Sequence, residues 1–175
     1  MATNRLANRT RQTLAWITSR GKRFRNWYVD YRFGSIDENA QLGRRGEQAA
    51  AQLLRRKGLN VIAESESDRA GEIDLIALRK RPRLIVFVEV KTLSTTRPGH
   101  PADRVDENKQ ARITRAALRY LKRKKLLGIA CRFDVVAVWW PRDEPRPTRV
   151  EHYESAFSST VCACSMLPGP QTIRC

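Results

Sequence analysis

The chain has 175 residues, of which 34 are Lys or Arg and 18 are Asp or Glu, so its formal net charge is +16. This length fits one domain with extensions, and no apolar run approaches the ~20 residues that a membrane-spanning helix requires. The strongly basic balance points to a polyanionic partner, with nucleic acid favoured over an anionic membrane surface.

The first 40 residues are predicted to form a basic arm. An amphipathic helix is one alternative there, because apolar residues recur at helical spacing, although Gly21 weakens it. The stretch Lys22–Tyr28 interleaves basic and aromatic residues, which suits phosphate contacts and base stacking, and equally a membrane surface. A further alternative is that these aromatic residues pack on the arm's own domain. The start of the chain shows no signal-peptide core, so a cytoplasmic location is expected.

A helix is predicted from Gln41 to Gly58, since its apolar residues share one face and Gly58 is a good C-terminal stop. Glu47 lies at the edge of that face. A short strand over 59–64 and a polar acidic loop, "ESESDRAG", are expected to follow. This region therefore predicts one helix and one strand ahead of the most apolar part of the chain.

Two strands, 71–79 and 84–91, are predicted next, joined by a turn over residues 80–83. A polar loop leads to a second helix from about Arg104 to Lys125, and Cys131–Trp140 reads as a further strand. Both faces of the paired strands are apolar, so helices should cover both sides. The sequence thus predicts a three-layer α/β domain over 41–157, with element order α-β-β-β-α-β, and a disordered tail over 158–175.

Charged residues interrupt the paired strands at one end of this hairpin. The turn over 80–83 sets a register that places Asp74 opposite Glu89 and Glu72 opposite Lys91. Because side chains alternate along a strand, all four share one face, whereas the other face is wholly apolar. Opposite carboxylates destabilise a sheet unless a cation lies between them.

Mg²⁺ fits such a pair, because it binds one or two carboxylates and keeps several waters for a substrate phosphate. Lys91, on the same face, could then orient a water molecule or stabilise charge developing on phosphorus. The alternative is structural: Glu72 pairs with Lys91, and Asp74 and Glu89 lie at an exposed end of the sheet.

The four cysteines, Cys131, Cys162, Cys164 and Cys175, match no closed metal-binding pattern. They are expected to be free thiols in a reducing compartment.

An ordered series of motifs resembles the PD-(D/E)XK nuclease superfamily and, more closely, the YraN-like bacterial family, whose fold is akin to that of Holliday-junction resolvases. The matching stretches are "GRRGEQAA" (43–50), "GEIDLIA" (71–77), "VFVEVK" (86–91), "KQARITRAALRYL" (109–121), "RFDVVAV" (132–138) and "EHYESAF" (151–157). The resemblance implies a restriction-endonuclease-like fold with a mixed central sheet. Ile73 stands where the superfamily name has Pro.

Several residue roles follow from the resemblance. Asp74 and Glu89 become Mg²⁺ ligands, with Mn²⁺ as an alternative metal, and Lys91 becomes the catalytic lysine. Glu47 is implied as a further metal-site carboxylate, the Val90 carbonyl as another ligand, and Gln110 as a polar residue near the site. Junction resolvases cut as symmetric dimers, so a homodimer is an expectation from the resemblance only.

Three functions compete at this stage. The first is a Mg²⁺-dependent endonuclease acting on DNA, including branched or recombination intermediates. A basic stripe on the second helix would grip backbone phosphates, giving steep salt dependence and little sequence preference; it comprises Arg112, Arg115, Arg119, Lys122 and Arg123. The second is a non-catalytic nucleic-acid-binding protein that retains the fold. The third is a protein docked on a membrane surface by residues 10–33, without stable insertion.

Overall fold

The computed structural model describes residue 26 and residues 28–68, 71–94 and 105–159. The chain divides into two compact units, Met1–Ile36 and Asp37–Cys175. In the first unit, residues 28–33 are helical, and Tyr28 and Tyr31 are exposed. Residues 1–25 and residue 27 of the predicted basic arm lie outside the described part of the chain.

The second unit is a mixed α/β structure with a five-stranded open sheet, which confirms the predicted α/β class. The strand order is β1-β2-β3-β4-β5, with β3 and β4 parallel and the other neighbours antiparallel. In chain order the elements are α1 (Leu42–Arg56), β1 (Asn60–Asp68), β2 (Gly71–Arg79), β3 (Leu84–Leu93), α2 (Glu107–Arg123), β4 (Cys131–Trp139) and β5 (Arg149–Phe157).

From Leu75 to Arg79 the β2–β3 hairpin has the register that the sequence predicts, whereas the predicted pairs Asp74–Glu89 and Glu72–Lys91 are not part of the ladder. Arg79 pairs with Leu84 and Leu75 pairs with Val88, and four residues, 80–83, form the connecting turn. Beyond Leu75, β2 continues to pair with β1 as far as Gly71, whereas its ladder with β3 ends. The two strands therefore separate at Asp74, which is the position where the charged residues begin.

The two helices pack on opposite faces of the sheet. Phe87 of β3 contacts Tyr120 of α2 edge to face, with ring centroids 6.2 Å apart. On the other face, Gly46 of α1 approaches Thr92 of β3 so closely that an added Cβ would lie 1.8 Å from Thr92 Oγ1. Since Phe87 and Thr92 point to opposite faces of the strand, the sheet lies between the helices, as predicted.

The core between α2 and the sheet is apolar and nearly solvent-free. Burial on this scale supplies most of the favourable free energy of folding, at about 25 cal/mol per Å² of apolar surface. Its buried members include Ile76, Ile85, Phe87, Ile113, Ala117, Leu121 and Phe133.

The prediction of an acidic loop after residue 64 is wrong, because β1 extends to Asp68. Its backbone pairs with β2 from Asn60 to Asp68, with a register shift between Val61 and Ala63, and arginines from the helices pair with Glu64 and Glu66. Glu64 lies 3.1 Å from both Arg44 and Arg55, and Glu66 pairs with Arg123. An edge strand tolerates such polar side chains because one side of it faces water.

The predicted element order lacks one strand. Residues 149–157 form β5, antiparallel to β4, so the order is α-β-β-β-α-β-β. Residues 158 and 159 follow without helix or strand, and the remainder of the predicted tail lies outside the described residues. Cys131 is buried and disulfide-bonded, so the expectation of free thiols is wrong for this cysteine. Cys162, Cys164 and Cys175 lie outside the described residues.

No helix in the described part of the chain is long and apolar enough to cross a membrane.

The two helices end with the same backbone geometry but with different residues. At the end of α1, Gly58 has φ +81°, and the amides of Gly58 and Leu59 donate to carbonyls of the last turn. At the end of α2, Lys125 occupies the equivalent position with φ +56°. Glycine adopts this left-handed conformation without strain, whereas lysine does not.

We therefore expect Lys125→Gly to stabilise the protein by about 0.5–1 kcal/mol, because it removes the strain at a positive φ. Urea unfolding at neutral pH measures the change. Lys124→Gly is the matched control, since it removes the same charge at an ordinary φ of −86° and should lower stability. Equal effects of the two substitutions would contradict the account.

Candidate metal-binding active site

Asp74 takes the place of a ladder hydrogen bond where β2 and β3 separate. Its Oδ2 accepts a hydrogen bond from the Val90 amide at 2.6 Å. Asp74 thus lies beside the Glu89–Lys91 segment, as predicted, and its side chain contacts the backbone of β3 there. This contact fixes the Asp74 carboxylate in the gap between the two strands.

Glu89 is the most buried acidic residue of this gap, with 4% of its surface exposed. Its Oε1 lies 2.8 Å from Lys91 Nζ and 3.2 Å from Lys109 Nζ. Its Oε2 is also buried and has no hydrogen-bond partner among the described residues. A buried carboxylate oxygen left unpaired costs about 1–3 kcal/mol.

A second buried carboxylate, Asp134 of β4, shows how this protein otherwise treats such a group. Asp134 is fully buried, and both of its oxygens are engaged. Oδ1 accepts from the Ser155 amide at 2.9 Å, and Oδ2 lies 2.7 Å from His152 Nε2. The Arg132 guanidinium lies 3.0 Å from the same carboxylate. Against this fully paired group, the free Oε2 of Glu89 is an exception that calls for an explanation.

The electrostatics of the gap disfavour a second negative charge. Burial and the negative charge of Glu89 raise the pKa of Asp74 to about 7 from its ordinary 3.8, and Glu47 adds to the increase. The Val90 amide and Lys109 act in the opposite direction. The negative charges of Glu89 and Glu47 are therefore both close enough to Asp74 to disfavour its ionised form, and a cation beside Asp74 would relieve that repulsion.

Glu47 reaches this region from α1, although it is also held by other groups. Its Oε2 accepts from Arg44 Nη1 at 2.9 Å and from Ser65 Oγ at 3.1 Å. The residue before it, Gly46, has no Cβ to hold α1 away from β3, and so the helix brings Glu47 toward the strand. The structure thus places Glu47 near Asp74, with part of its charge offset by Arg44.

These residues fit a hard divalent cation that uses two protein ligands. The free Oε2 of Glu89 is an unsatisfied oxygen donor, and Asp74 Oδ1 is not needed for the bond to Val90. Mg²⁺ commonly binds one or two carboxylates and keeps its other positions for water and phosphate. The described residues contain no group of three His, Cys, Asp or Glu side chains arranged to hold a metal, so Glu47 is not part of a ready-made ligand set.

The structural alternative for the four charged residues is not what the protein shows. Lys91 pairs with Glu89 and not with Glu72, which is exposed. Glu89 is buried and does not lie at an exposed end of the sheet. The charge pairing in the hairpin is therefore concentrated on Glu89.

Two other predicted site residues have contacts of their own. Gln110 donates from Nε2 to the Val105 carbonyl at 2.8 Å, so it fixes the start of α2. Val90 takes part through its amide, whereas the structure does not test a role for its carbonyl as a metal ligand.

Lys109 is the site residue that the sequence analysis missed. It lies on the same helical face as Ile113, one turn earlier, and a lysine at the edge of a buried face is the signal that could have identified it. From this position its amine reaches Glu89.

The five residues of the predicted basic stripe are all exposed on α2. Arg123, at the end of the stripe, pairs with Glu66 of β1, so part of its charge is neutralised. From Arg112 to Lys122 the stripe extends about 15 Å at ~1.5 Å per residue. Lys109, which contacts Glu89, lies in the first turn of the same helix. The stripe continues from there toward the end of the helix, and so it runs away from the Asp74–Glu89 gap.

The raised pKa of Asp74 predicts a pH-dependent cost in the metal-free protein. A raised folded-state pKa means that stability falls as pH rises from about 4 to about 7, since only the unfolded chain ionises freely there. We expect Asp74→Asn to raise stability by about 1–3 kcal/mol at pH 8 and by much less at pH 5. Urea unfolding with a chelator present, at both pH values, measures this difference.

Asp143→Asn is the matched control, because Asp143 lies in an exposed turn and its substitution should have no pH-dependent effect. In urea unfolding at pH 8 with Mg²⁺ in place of the chelator, the metal should stabilise the wild type and not Asp74→Asn. A pH-independent gain for Asp74→Asn would contradict this reading of the gap.

Known proteins place the chain in a family. Residues 46–138 match the model of the uncharacterised protein family UPF0102. A UPF0102 protein of Rhodopirellula baltica is 93% identical over 159 residues, covering 91% of this chain and 95% of its own length. A UPF0102 protein of Pelotomaculum thermopropionicum is 39% identical, covering 69% of this chain and 98% of its own. A UPF0102 protein of Moorella thermoacetica is 43% identical, covering 66% of this chain and 93% of its own length. The chain therefore belongs to the UPF0102 family.

Proposed function

We propose that this protein is a metal-dependent endonuclease of the PD-(D/E)XK type that hydrolyses DNA phosphodiester bonds. The observation that carries the proposal is the closeness of the Asp74 and Glu89 carboxylates where β2 and β3 separate, because the charge of Glu89 helps to raise the pKa of Asp74 there. One oxygen of that pair is buried without a partner, and Lys91 lies beside it. The restriction-endonuclease-like fold inferred from the motifs is part of this proposal, and the mixed sheet with helices on both faces is compatible with it.

In this mechanism each residue of the gap has one task. Asp74 and Glu89 bind the metal, and the Val90 amide keeps Asp74 in position. When bound, Mg²⁺ polarises the scissile phosphate and lowers the pKa of a water molecule. The Lys91 amine contacts the attacking water or the charge that develops on the phosphate, at a distance set by its place two residues after Glu89. Glu47, held by Arg44, adds negative charge at the edge of the site.

Substrate binding is assigned to the exposed basic stripe of α2. Arginine and lysine contacts to backbone phosphates give affinity without reading sequence. Glu64 and Glu66 of β1 do not extend this surface, because they are acidic and pair with Arg44, Arg55 and Arg123. The proposed DNA path therefore follows α2 and not β1. Branched DNA is included among its substrates on the strength of the motif resemblance alone.

We expect purified protein to cleave DNA in Mg²⁺ or Mn²⁺ and not in a chelator. Labelled duplex, four-way junction and single strand should be compared at equal concentration. Glu89→Gln and Lys91→Met should each lower the single-turnover rate by about 100-fold or more, because they remove a ligand and the amine beside it. Duplex binding in Ca²⁺ should change little in either variant.

Lys124→Met is the control, since Lys124 is exposed beyond the last turn of α2 and lies outside the proposed site. A second candidate is a non-catalytic nucleic-acid-binding protein, which is favoured by the lack of a three-ligand cluster in the described residues. Tight DNA binding without cleavage in any metal would select that candidate and reject the nuclease. Cleavage that persists unchanged in Glu89→Gln would reject the proposed active site around Glu89.

A further inference from the structure

Two lysines share one oxygen of Glu89. Lys91 reaches Oε1 from the same strand, two residues after Glu89, and Lys109 reaches it from the first turn of α2, in the helical layer that packs on the sheet. Oε2 of the same carboxylate has no hydrogen-bond partner among the described residues. Among the described residues, the two cations that pair with Glu89 therefore contact the same oxygen, Oε1.

The start of α2 is fixed, and so the position of Lys109 is fixed with it. The Lys109 amide donates to Oδ1 of Asp106, the N-cap residue of α2, at 2.8 Å. The side chain of Gln110 donates to the Val105 carbonyl at 2.8 Å. Only the long side chain of Lys109 then remains to be ordered, and Glu89 provides its partner.

A single lysine could not serve both Glu89 and a substrate. A buried carboxylate needs a compensating charge, and removing its only cation is strongly unfavourable. If Lys91 were that only cation, moving its amine to a phosphate would leave Glu89 Oε1 unpaired. A second cation on the same oxygen removes this conflict.

We propose that Lys109 is a positioning residue that holds Glu89 Oε1, so that Oε2 faces the metal position and the Lys91 amine is free to contact the scissile phosphate. This inference rests on the proposed nuclease function. It assigns the two lysines different tasks: Lys91 acts on the reacting groups, and Lys109 acts through Glu89.

The first test needs neither metal nor DNA. In urea unfolding at pH 8 with a chelator, Lys109→Met should lower the midpoint in the wild-type background and lower it much less in the Glu89→Gln background, because only the attraction between Lys109 and Asp74 then remains. Lys124→Met should behave alike in both backgrounds. An equal shift in the two backgrounds would overturn the inference.

The second test separates positioning from binding. With saturating Mg²⁺ and a saturating excess of protein over DNA, Lys109→Met should lower the single-turnover cleavage rate about tenfold or more, while duplex affinity in Ca²⁺ stays within about twofold. Lys109→Arg should recover most of the rate, because it restores a cation at Glu89. Wild-type rates in Lys109→Met, or equal losses in the Met and Arg variants, would overturn the inference.

The behaviour of the wild-type protein separates failure of the Lys109 assignment from failure of the proposed nuclease function. A wild type that cleaves, with Lys109→Met unchanged, rejects only the assignment of Lys109. A wild type that neither binds metal nor cleaves rejects the proposed function, and the assignment of Lys109 with it.

Discussion

A buried carboxylate oxygen without a partner is the constraint on which the rest of the site depends. Glu89 lies in an apolar strand, where an ionised group is stable only if it is compensated. Two lysines compensate Oε1, and nothing described compensates Oε2. Asp134, in the next strand, has every oxygen engaged, so the fold is capable of pairing a buried carboxylate fully. The unpaired oxygen is therefore a feature of this one position.

The architecture brings groups from all three layers of the domain to the surroundings of Glu89. The sheet supplies Asp74 and Lys91, because β2 leaves β3 at the point where the charged residues begin. From one face α2 supplies Lys109, and from the other face α1 brings Glu47 toward Asp74. Neither helix could do so alone, since the gap lies in the middle layer. The close approach of Gly46 to Thr92 shows how tightly the α1 layer must fit.

The sequence predicted the centre of the fold and of the site better than their edges. Alternation and a short turn were enough to set the hairpin register, because a shift by one residue would exchange its apolar and charged faces. The edge strands were misjudged: "ESESD" was taken for a loop and Arg149–Phe157 was given no structure. Edge strands carry polar residues, and their partners come from other elements: Arg44 and Arg55 of α1 pair with Glu64, and Asp134 of β4 pairs with His152. Lys109 was missed for a related reason, since its contact with Glu89 joins a helix to a strand.

The central claim is that a metal ion binds between Asp74 and Glu89. The most direct measurement is a crystal structure of the protein grown with Mn²⁺, with anomalous diffraction recorded at the manganese edge. The account predicts an anomalous peak within coordination distance of Glu89 Oε2 and Asp74 Oδ1, absent in Glu89→Gln crystals grown in the same way. A wild-type structure in saturating Mn²⁺ with no peak there, and with Oε2 hydrogen-bonded to another protein group, would contradict it.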